Sequence, residues 1–126
     1  MARILVVDDD PRLREAYAVA LGDEHQVTTS SSAREAVARL AEHRPDVIVL
    51  DIRMPDMDGI QALGRFLEKD RKVPVILNTA YSHYRSDFMT WAADEYVVKS
   101  GDIGPLRQAI ARVLGARRAR ARTTPR

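Results

Sequence analysis

The 126-residue sequence contains no cysteine, which excludes disulfide bonds and thiolate metal ligands. No apolar run approaches the roughly 20 residues that a membrane-spanning helix needs. The first apolar segment follows Met-Ala-Arg directly, so we expect no secretory signal. The glycine-rich phosphate-binding patterns GxGxxG and GxxxxGK[ST] do not occur. These absences suit a cytoplasmic protein and disfavour the nucleotide-binding folds that use those patterns.

The positive charge of the chain is concentrated at one end. The formal net charge is +2, and residues 117–126 contain five arginines and no acidic residue, so the rest of the chain carries about −3. We predict one domain at residues 1–116 and an Arg-rich, disordered tail at residues 117–126. The tail could be a solvated terminus, a linker to an output domain or a contact for nucleic-acid phosphates. We do not expect the domain itself to bind nucleic acid.

Five short apolar segments alternate with longer segments of helical periodicity. The predicted strands are residues 3–7, 26–29, 46–50, 74–78 and 95–98. Four apolar stripes at helical spacing comprise Leu13, Tyr17, Ala20 and Leu21; Val37, Leu40 and Ala41; Ile60, Leu63 and Leu67; and Leu106, Ile110, Val113 and Leu114. Asp10 before Pro11, and Ser32 three residues before Glu35, are typical helix starts. The connection over residues 81–92 has the least regular pattern.

This alternation predicts the fold class. The segment from Ile4 to Val7 is apolar throughout, which is typical of a strand buried on both faces. Fivefold alternation of strand and helix predicts an α/β protein with a five-stranded parallel sheet and helices on both faces.

Polar residues follow the predicted strands at their carboxyl ends. Asp8 and Asp9 follow the first strand, and Asp51 follows the third. Thr79 and Lys99 follow the fourth and fifth. Ligands of open α/β sheets bind at this edge, so we expect these five side chains to form one site.

The chemistry of these side chains indicates a magnesium site. Carboxylates that lie close together repel one another, and Mg²⁺ prefers such oxygen ligands. A bound Mg²⁺ could neutralise a phosphoryl group in transfer, with Lys99 and the Thr79 hydroxyl covering its other oxygens. Asp51 is the candidate nucleophile because it stands alone on a central strand, whereas Asp8 and Asp9 form a metal pair.

Four segments, ILVVDDD, DVIVLDIRMPDMDG, ILNTA and YVVKS, resemble in this order the receiver domain of two-component response regulators. That family has the (βα)5 flavodoxin-type fold of CheY, and the resemblance covers about residues 2–115. It implies that Asp51 accepts a phosphoryl group from a phosphohistidine of a sensor histidine kinase. It also implies that Asp9, Asp51 and the backbone carbonyl of Arg53 bind Mg²⁺ directly, while Asp8 acts through water.

The resemblance also assigns roles at the other strand ends. Thr79 and Lys99 would contact the phosphoryl group, and Tyr96 would turn inward as a switch when Thr79 moves toward the phosphate. Members of the family usually have proline after the lysine, commonly through a cis bond, whereas this chain has Ser100. Because a cis bond before a residue other than proline costs about 2.5–4 kcal/mol, we expect a trans bond here.

Two bulky residues near the site distinguish this chain. Arg53 lies two positions after Asp51, and Tyr81 lies two positions after Thr79. The resemblance implies that these positions tune hydrolysis, and we expect the two side chains to shield the acyl phosphate from water.

Two other functions are alternatives to a phosphorylation switch. A Mg²⁺-dependent phosphohydrolase of the haloacid-dehalogenase type needs an aspartate where this chain has Arg53. A pseudo-receiver that binds a partner constitutively is disfavoured because all acceptor-site residues are present. We therefore expect a self-phosphorylating switch and not an enzyme that turns over an outside substrate.

The expected partners follow from the resemblance. A histidine kinase or phosphotransfer protein would be the donor, and a downstream protein or output domain would be the target. A phosphorylation-induced homodimer is plausible, and we expect no membrane contact.

Overall fold

The computed structural model describes residues 2–51, 59–70, 72–80 and 93–123. Five strands form one parallel sheet in the order β2-β1-β3-β4-β5. The strands are β1 (Arg3–Val7), β2 (Gln26–Ser30), β3 (Val47–Leu50), β4 (Val75–Thr79) and β5 (Glu95–Val98). The predicted parallel α/β fold is confirmed, and every predicted strand is present within a residue or so of its expected ends.

The helices cover both faces of this sheet. They are α1 (Pro11–Gly22), α2 (Ala33–Ala38), α3 (Leu40–His43), α4 (Gly59–Lys69) and α5 (Gly104–Thr123). No helix within the described ranges combines the length and apolar character that a membrane span requires. The irregular connection at residues 81–92 lies outside the described residues.

Both predicted helix caps form. The Asp10 carboxylate accepts a hydrogen bond from the Arg12 backbone N–H at 2.9 Å, and Ser32 Oγ accepts one from the Glu35 N–H at 3.2 Å. The second predicted helix differs from expectation because it is divided at Arg39, whose backbone (φ −103°, ψ 13°) is not helical. Satisfied N-caps therefore fix where α1 and α2 begin.

The apolar run from Ile4 to Val7 in β1 has a structural reason. Leu5 and Val7 point into a core beneath α2 to α4, whereas Ile4 and Val6 point into a second core beneath α1 and α5. All four side chains are fully buried. Because successive residues of a strand face opposite sides, a strand segment that packs against an apolar core on both faces is apolar at consecutive positions.

The last helix is longer than the sequence predicts. The apolar stripe of the last predicted helix ends at Leu114, but α5 continues to Thr123. Alanine and arginine are strong helix formers, so one glycine does not end the helix. Arg117 also anchors the extension, because its Nη1 donates to the backbone carbonyl of Asp46 at 2.8 Å. The helix end is therefore corrected, whereas the division into a domain at 1–116 and a tail at 117–126 stays a prediction.

Candidate functional site

The site begins where β1 and β3 lie side by side at the centre of the sheet. Val7 pairs with Leu50, so the residues that follow them, Asp8 and Asp51, leave adjacent strands at the same level. The Asp51 N–H donates to the Val7 carbonyl at 3.0 Å, which extends the hydrogen bonding between β1 and β3 by one bond. The strand order reverses beside β1, which is where doubly wound sheets bind their ligands. The backbone thus brings two predicted site residues together.

Three carboxylates converge at this edge. One ligand oxygen from each of Asp8, Asp9 and Asp51 lies within 4.8 Å of the other two. Asp8 and Asp51 are buried, with 2% and 7% of their surface exposed, whereas Asp9 is exposed. Buried carboxylates need a compensating positive charge or hydrogen-bond donors, because burial alone disfavours the charged form.

Lys99 supplies that positive charge. Its backbone N–H donates to the Thr79 carbonyl at 2.7 Å, which places the side chain at the end of β5 beside the acids. Its Nζ lies 2.8 Å from Asp8 Oδ2 and 3.1 Å from Asp51 Oδ2. Burial lowers the pKa of the ammonium, but the hydrogen bond to Asp8 and the charge of Asp51 outweigh it and raise the pKa above the ordinary value. Lys99 is therefore a protonated counterion between two carboxylates at neutral pH.

A residue that the sequence analysis did not single out also contacts the acidic turn. Arg14 Nη1 donates to the backbone carbonyl of Asp8 at 2.7 Å. The Asp8 carboxylate in turn accepts the Asp10 N–H at 2.9 Å. An arginine one turn into a helix is common on protein surfaces, and a bond to a backbone carbonyl leaves no motif, so no sequence signal could have identified Arg14.

The two predicted switch residues lie on the same face of the sheet. Thr79 is fully buried at the end of β4, and Tyr96 is 6% exposed on β5. Leu77 pairs with Tyr96, and Thr79 pairs with Val98, so the two residues lie on the side covered by α2 to α4. Both make further interactions. Their role in switching stays a prediction.

The segment after Lys99 forms a polar turn. The Lys99–Ser100 bond is trans, as expected. Ser100 Oγ donates to the Asp102 carbonyl and accepts the Asp102 N–H, both at 3.2 Å. The Asp102 carboxylate accepts the Gly104 N–H at 2.9 Å at the start of α5. Hydrogen bonds thus connect Ser100, which stands where proline is usual in the family that the sequence resembles, to the start of α5.

The residues present fit a hard divalent cation. The three carboxylates offer only oxygen ligands, and Lys99 neutralises one of their three negative charges. A divalent cation would neutralise the other two. Of the predicted site residues, four lie together: Asp8, Asp9, Asp51 and Lys99. The backbone carbonyl of Thr79 accepts the Lys99 N–H at the same edge of the sheet. Arg53, the remaining predicted metal residue, lies outside the described residues.

Comparison with known proteins agrees with the predicted fold and family. The sequence model of the response regulator receiver domain family matches residues 4–111. The regulatory protein AtoC of Escherichia coli K12 is 35% identical over 115 residues, covering 89% of this chain and 25% of AtoC. The virulence transcriptional regulatory protein PhoP of Salmonella typhimurium is 38% identical over 102 residues, covering 79% of this chain and 46% of PhoP. The chain thus spans less than half the length of these curated relatives.

Solved structures give the same result. The response regulator TrrA of Thermotoga maritima, in complex with Mg²⁺-BeF, is 41% identical with a TM-score of 0.84, covering 90% of this chain and 100% of that one. TrrA has also been solved in complex with the histidine kinase ThkA, with a TM-score of 0.82 over 90% of this chain and 99% of TrrA. Vibrio cholerae CheY4 is 28% identical with a TM-score of 0.83, covering 90% and 99% of the two chains. The chain belongs to the response regulator receiver domain family, the signalling module of two-component systems.

Proposed function

We propose that Asp51 is the phosphoacceptor of this receiver domain and that a phosphohistidine of a sensor histidine kinase, or of a phosphotransfer protein, is the donor. One observation carries the proposal: the Lys99 ammonium bridges Asp51 and Asp8 inside a cluster of three carboxylates. A lone buried aspartate would lack the positive charge that attracts an incoming phosphoryl group and stabilises its negative charge. The relative TrrA, which forms a complex with a histidine kinase, supports the nature of the donor.

The proposed chemistry is a nucleophilic displacement at phosphorus. An oxygen of the Asp51 carboxylate forms a bond to phosphorus, and the P–N bond of the phosphohistidine breaks. The imidazole nitrogen keeps the electron pair of that bond. The product is an acyl phosphate on Asp51, which water later hydrolyses to carboxylate and inorganic phosphate. The domain therefore promotes its own modification and turns over no outside substrate.

Lys99 and Thr79 have complementary tasks in this proposal. Lys99 already contacts Asp51 Oδ2. Once Asp51 is phosphorylated, the same ammonium can bind the negatively charged phosphoryl oxygens. Thr79 lies at the end of the adjacent strand, where its hydroxyl can donate to another phosphoryl oxygen.

Mg²⁺ is the proposed cofactor. Asp8, Asp9 and Asp51 would hold it together with the backbone carbonyl of Arg53, and bound Mg²⁺ would neutralise charge on the phosphoryl group. The Mg²⁺-BeF complex of TrrA supports this assignment.

The proposed output is a shift between two forms of the face around Thr79 and Tyr96. Phosphorylation favours one form because only that form places the Thr79 hydroxyl against the phosphate. The target is a downstream protein, an output domain of a longer chain or a second copy of the domain. AtoC and PhoP, which are much longer than this chain, support an output domain. The proposed location is the cytoplasm.

Intact-mass spectrometry after incubation with acetyl phosphate and Mg²⁺ tests the proposal. We expect wild type to gain one phosphoryl group and Asp51→Asn to gain none. Asp23→Asn, which changes an exposed aspartate beyond the end of α1, is the matched control and should be labelled like wild type. An EDTA control should abolish labelling of wild type.

Two results would contradict the proposal. Labelling of Asp51→Asn to the wild-type extent would place the modification elsewhere. An unlabelled wild type that also shows no NMR response to beryllofluoride and Mg²⁺ would indicate a pseudo-receiver.

A further inference from the structure

Arg14 contacts both ends of the turn that carries the acidic pair. Its backbone N–H donates to the Asp10 carbonyl at 3.1 Å as part of the first turn of α1. Its half-buried guanidinium reaches back and donates to the Asp8 carbonyl at 2.7 Å. One residue therefore fixes the spacing between Asp8 and Asp10, with Asp9 between them.

This constraint matters most for Asp9. The Asp8 carboxylate is held on both oxygens, by Lys99 Nζ at 2.8 Å and by the Asp10 N–H at 2.9 Å. Asp9 is exposed, and within the described ranges no hydrogen bond reaches its carboxylate. The position of that carboxylate relative to the other two is thus set by the backbone of the turn.

We infer that Arg14 is a positioning residue for the cation site: it holds the β1–α1 turn so that the Asp9 carboxylate stays within reach of Asp8 and Asp51. The inference rests on the proposed function, because it assumes that the three carboxylates bind Mg²⁺. Groups that orient metal ligands from outside the coordination sphere typically change metal affinity by about 10-fold or more when they are removed.

The direction in which Mg²⁺ affinity changes shows whether Arg14 positions the turn or acts only through its charge. Arg14 adds a positive charge beside the acidic cluster, and removing a nearby cation should strengthen the binding of another cation. If Arg14 acts only through its charge, replacing it by methionine tightens Mg²⁺ binding. If it positions the turn, the same substitution weakens Mg²⁺ binding despite the lost charge.

The experiment is an NMR titration of the full chain with MgCl₂ at constant ionic strength. It compares wild type, Arg14→Met and Arg14→Lys with matched controls Arg12→Met and Arg12→Lys. Arg12 is an exposed arginine on the same turn of α1, so its substitution reports the charge effect alone. We expect Arg14→Met to raise the dissociation constant about 10-fold and Arg12→Met to leave it unchanged or lower it.

Each outcome is decisive. Weaker binding by a folded Arg14→Met than by Arg12→Met supports the inference, and equal or tighter binding overturns it. If Arg14→Met does not fold, Arg14→Lys against Arg12→Lys decides in the same way, with a smaller loss expected. If wild type itself binds no Mg²⁺, the proposed cation site fails and this inference fails with it. Wild-type binding without an Arg14 effect overturns only the inference.

Discussion

Removal of Lys99 should destabilise the metal-free domain far more than removal of Asp51. Lys99→Met takes away a cation that lies 2.8 Å from one carboxylate oxygen and 3.1 Å from another. At an effective dielectric constant of about 20, each attraction is worth about 5–6 kcal/mol before the desolvation of the charges is subtracted. Breaking a buried ion pair from one side typically costs about 3–5 kcal/mol, and the partial exposure of Lys99 favours the lower end, about 3 kcal/mol.

By the same reasoning, Asp51→Asn should change the free energy of unfolding very little. It loses the attraction to Lys99 but also loses repulsion from Asp8 and Asp9, whose ligand oxygens lie no more than 4.8 Å away. Each repulsion is worth at least about 3 kcal/mol at the same dielectric constant, so the two repulsions offset the one attraction. We expect Asp51→Asn to lie within about 1 kcal/mol of wild type.

Urea denaturation followed by circular dichroism measures both effects. The unfolding free energies of wild type, Lys99→Met, Asp51→Asn and the exposed control Lys72→Met are compared in EDTA and then with Mg²⁺. Mg²⁺ should stabilise Lys99→Met more than wild type, because the cation meets a more negative site. A Lys99→Met protein as stable as wild type in EDTA, or an Asp51→Asn protein that loses as much as Lys99→Met, would refute the electrostatic reasoning.

Two further predictions concern pH and phosphate lifetime. The pKa of Lys99 is raised above its ordinary value of 10.5, so its stabilising contribution is complete below pH 10.5 and is lost as pH rises through the folded-state pKa. The difference in unfolding free energy between wild type and Lys99→Met should therefore be constant from neutral pH to pH 9, and a fall within that range would contradict it. Arg53→Asn and Tyr81→Ala should each shorten the half-life of the phosphorylated protein, measured by intact mass after donor removal. Arg65→Asn, an exposed change on α4, serves as the control; half-lives that match it would defeat the shielding hypothesis.

Much of the fold could be predicted because apolar segments end abruptly at charged residues. The bounds of β1 and β5 were predicted as observed, since Val7 is followed by Asp8 and Val98 by Lys99. The convergence of the acids also followed, because parallel strands end at one edge. The interruption between α2 and α3 at Arg39 could not be predicted in this way, because arginine has a high helix propensity.

Other features depend on contacts between distant segments. The extension of α5 is anchored by Arg117 on Asp46, 71 residues apart in sequence. Among the described residues, Phe66 is the largest fully buried side chain, and it is absent from the predicted stripe of α4 although its spacing from Leu63 is helical. The bond from Arg14 to a carbonyl could be identified only in three dimensions.

The charged residues at the two ends of β1 and β3 also act as register markers for folding. Because residues Ile4 to Val7 of β1 and all residues of β3 are apolar and buried, hydrophobic burial alone distinguishes poorly between correct pairing and a slip by one residue. At the amino end, the Arg3 N–H donates to the Asp46 carboxylate and the Asp46 N–H to the Arg3 carbonyl, both at 2.8 Å. At the other end, a slip would draw Asp8 or Asp51 into the apolar layer without its Lys99 partner, at a cost of several kcal/mol. The acids of the proposed site thus also select the strand alignment that creates it.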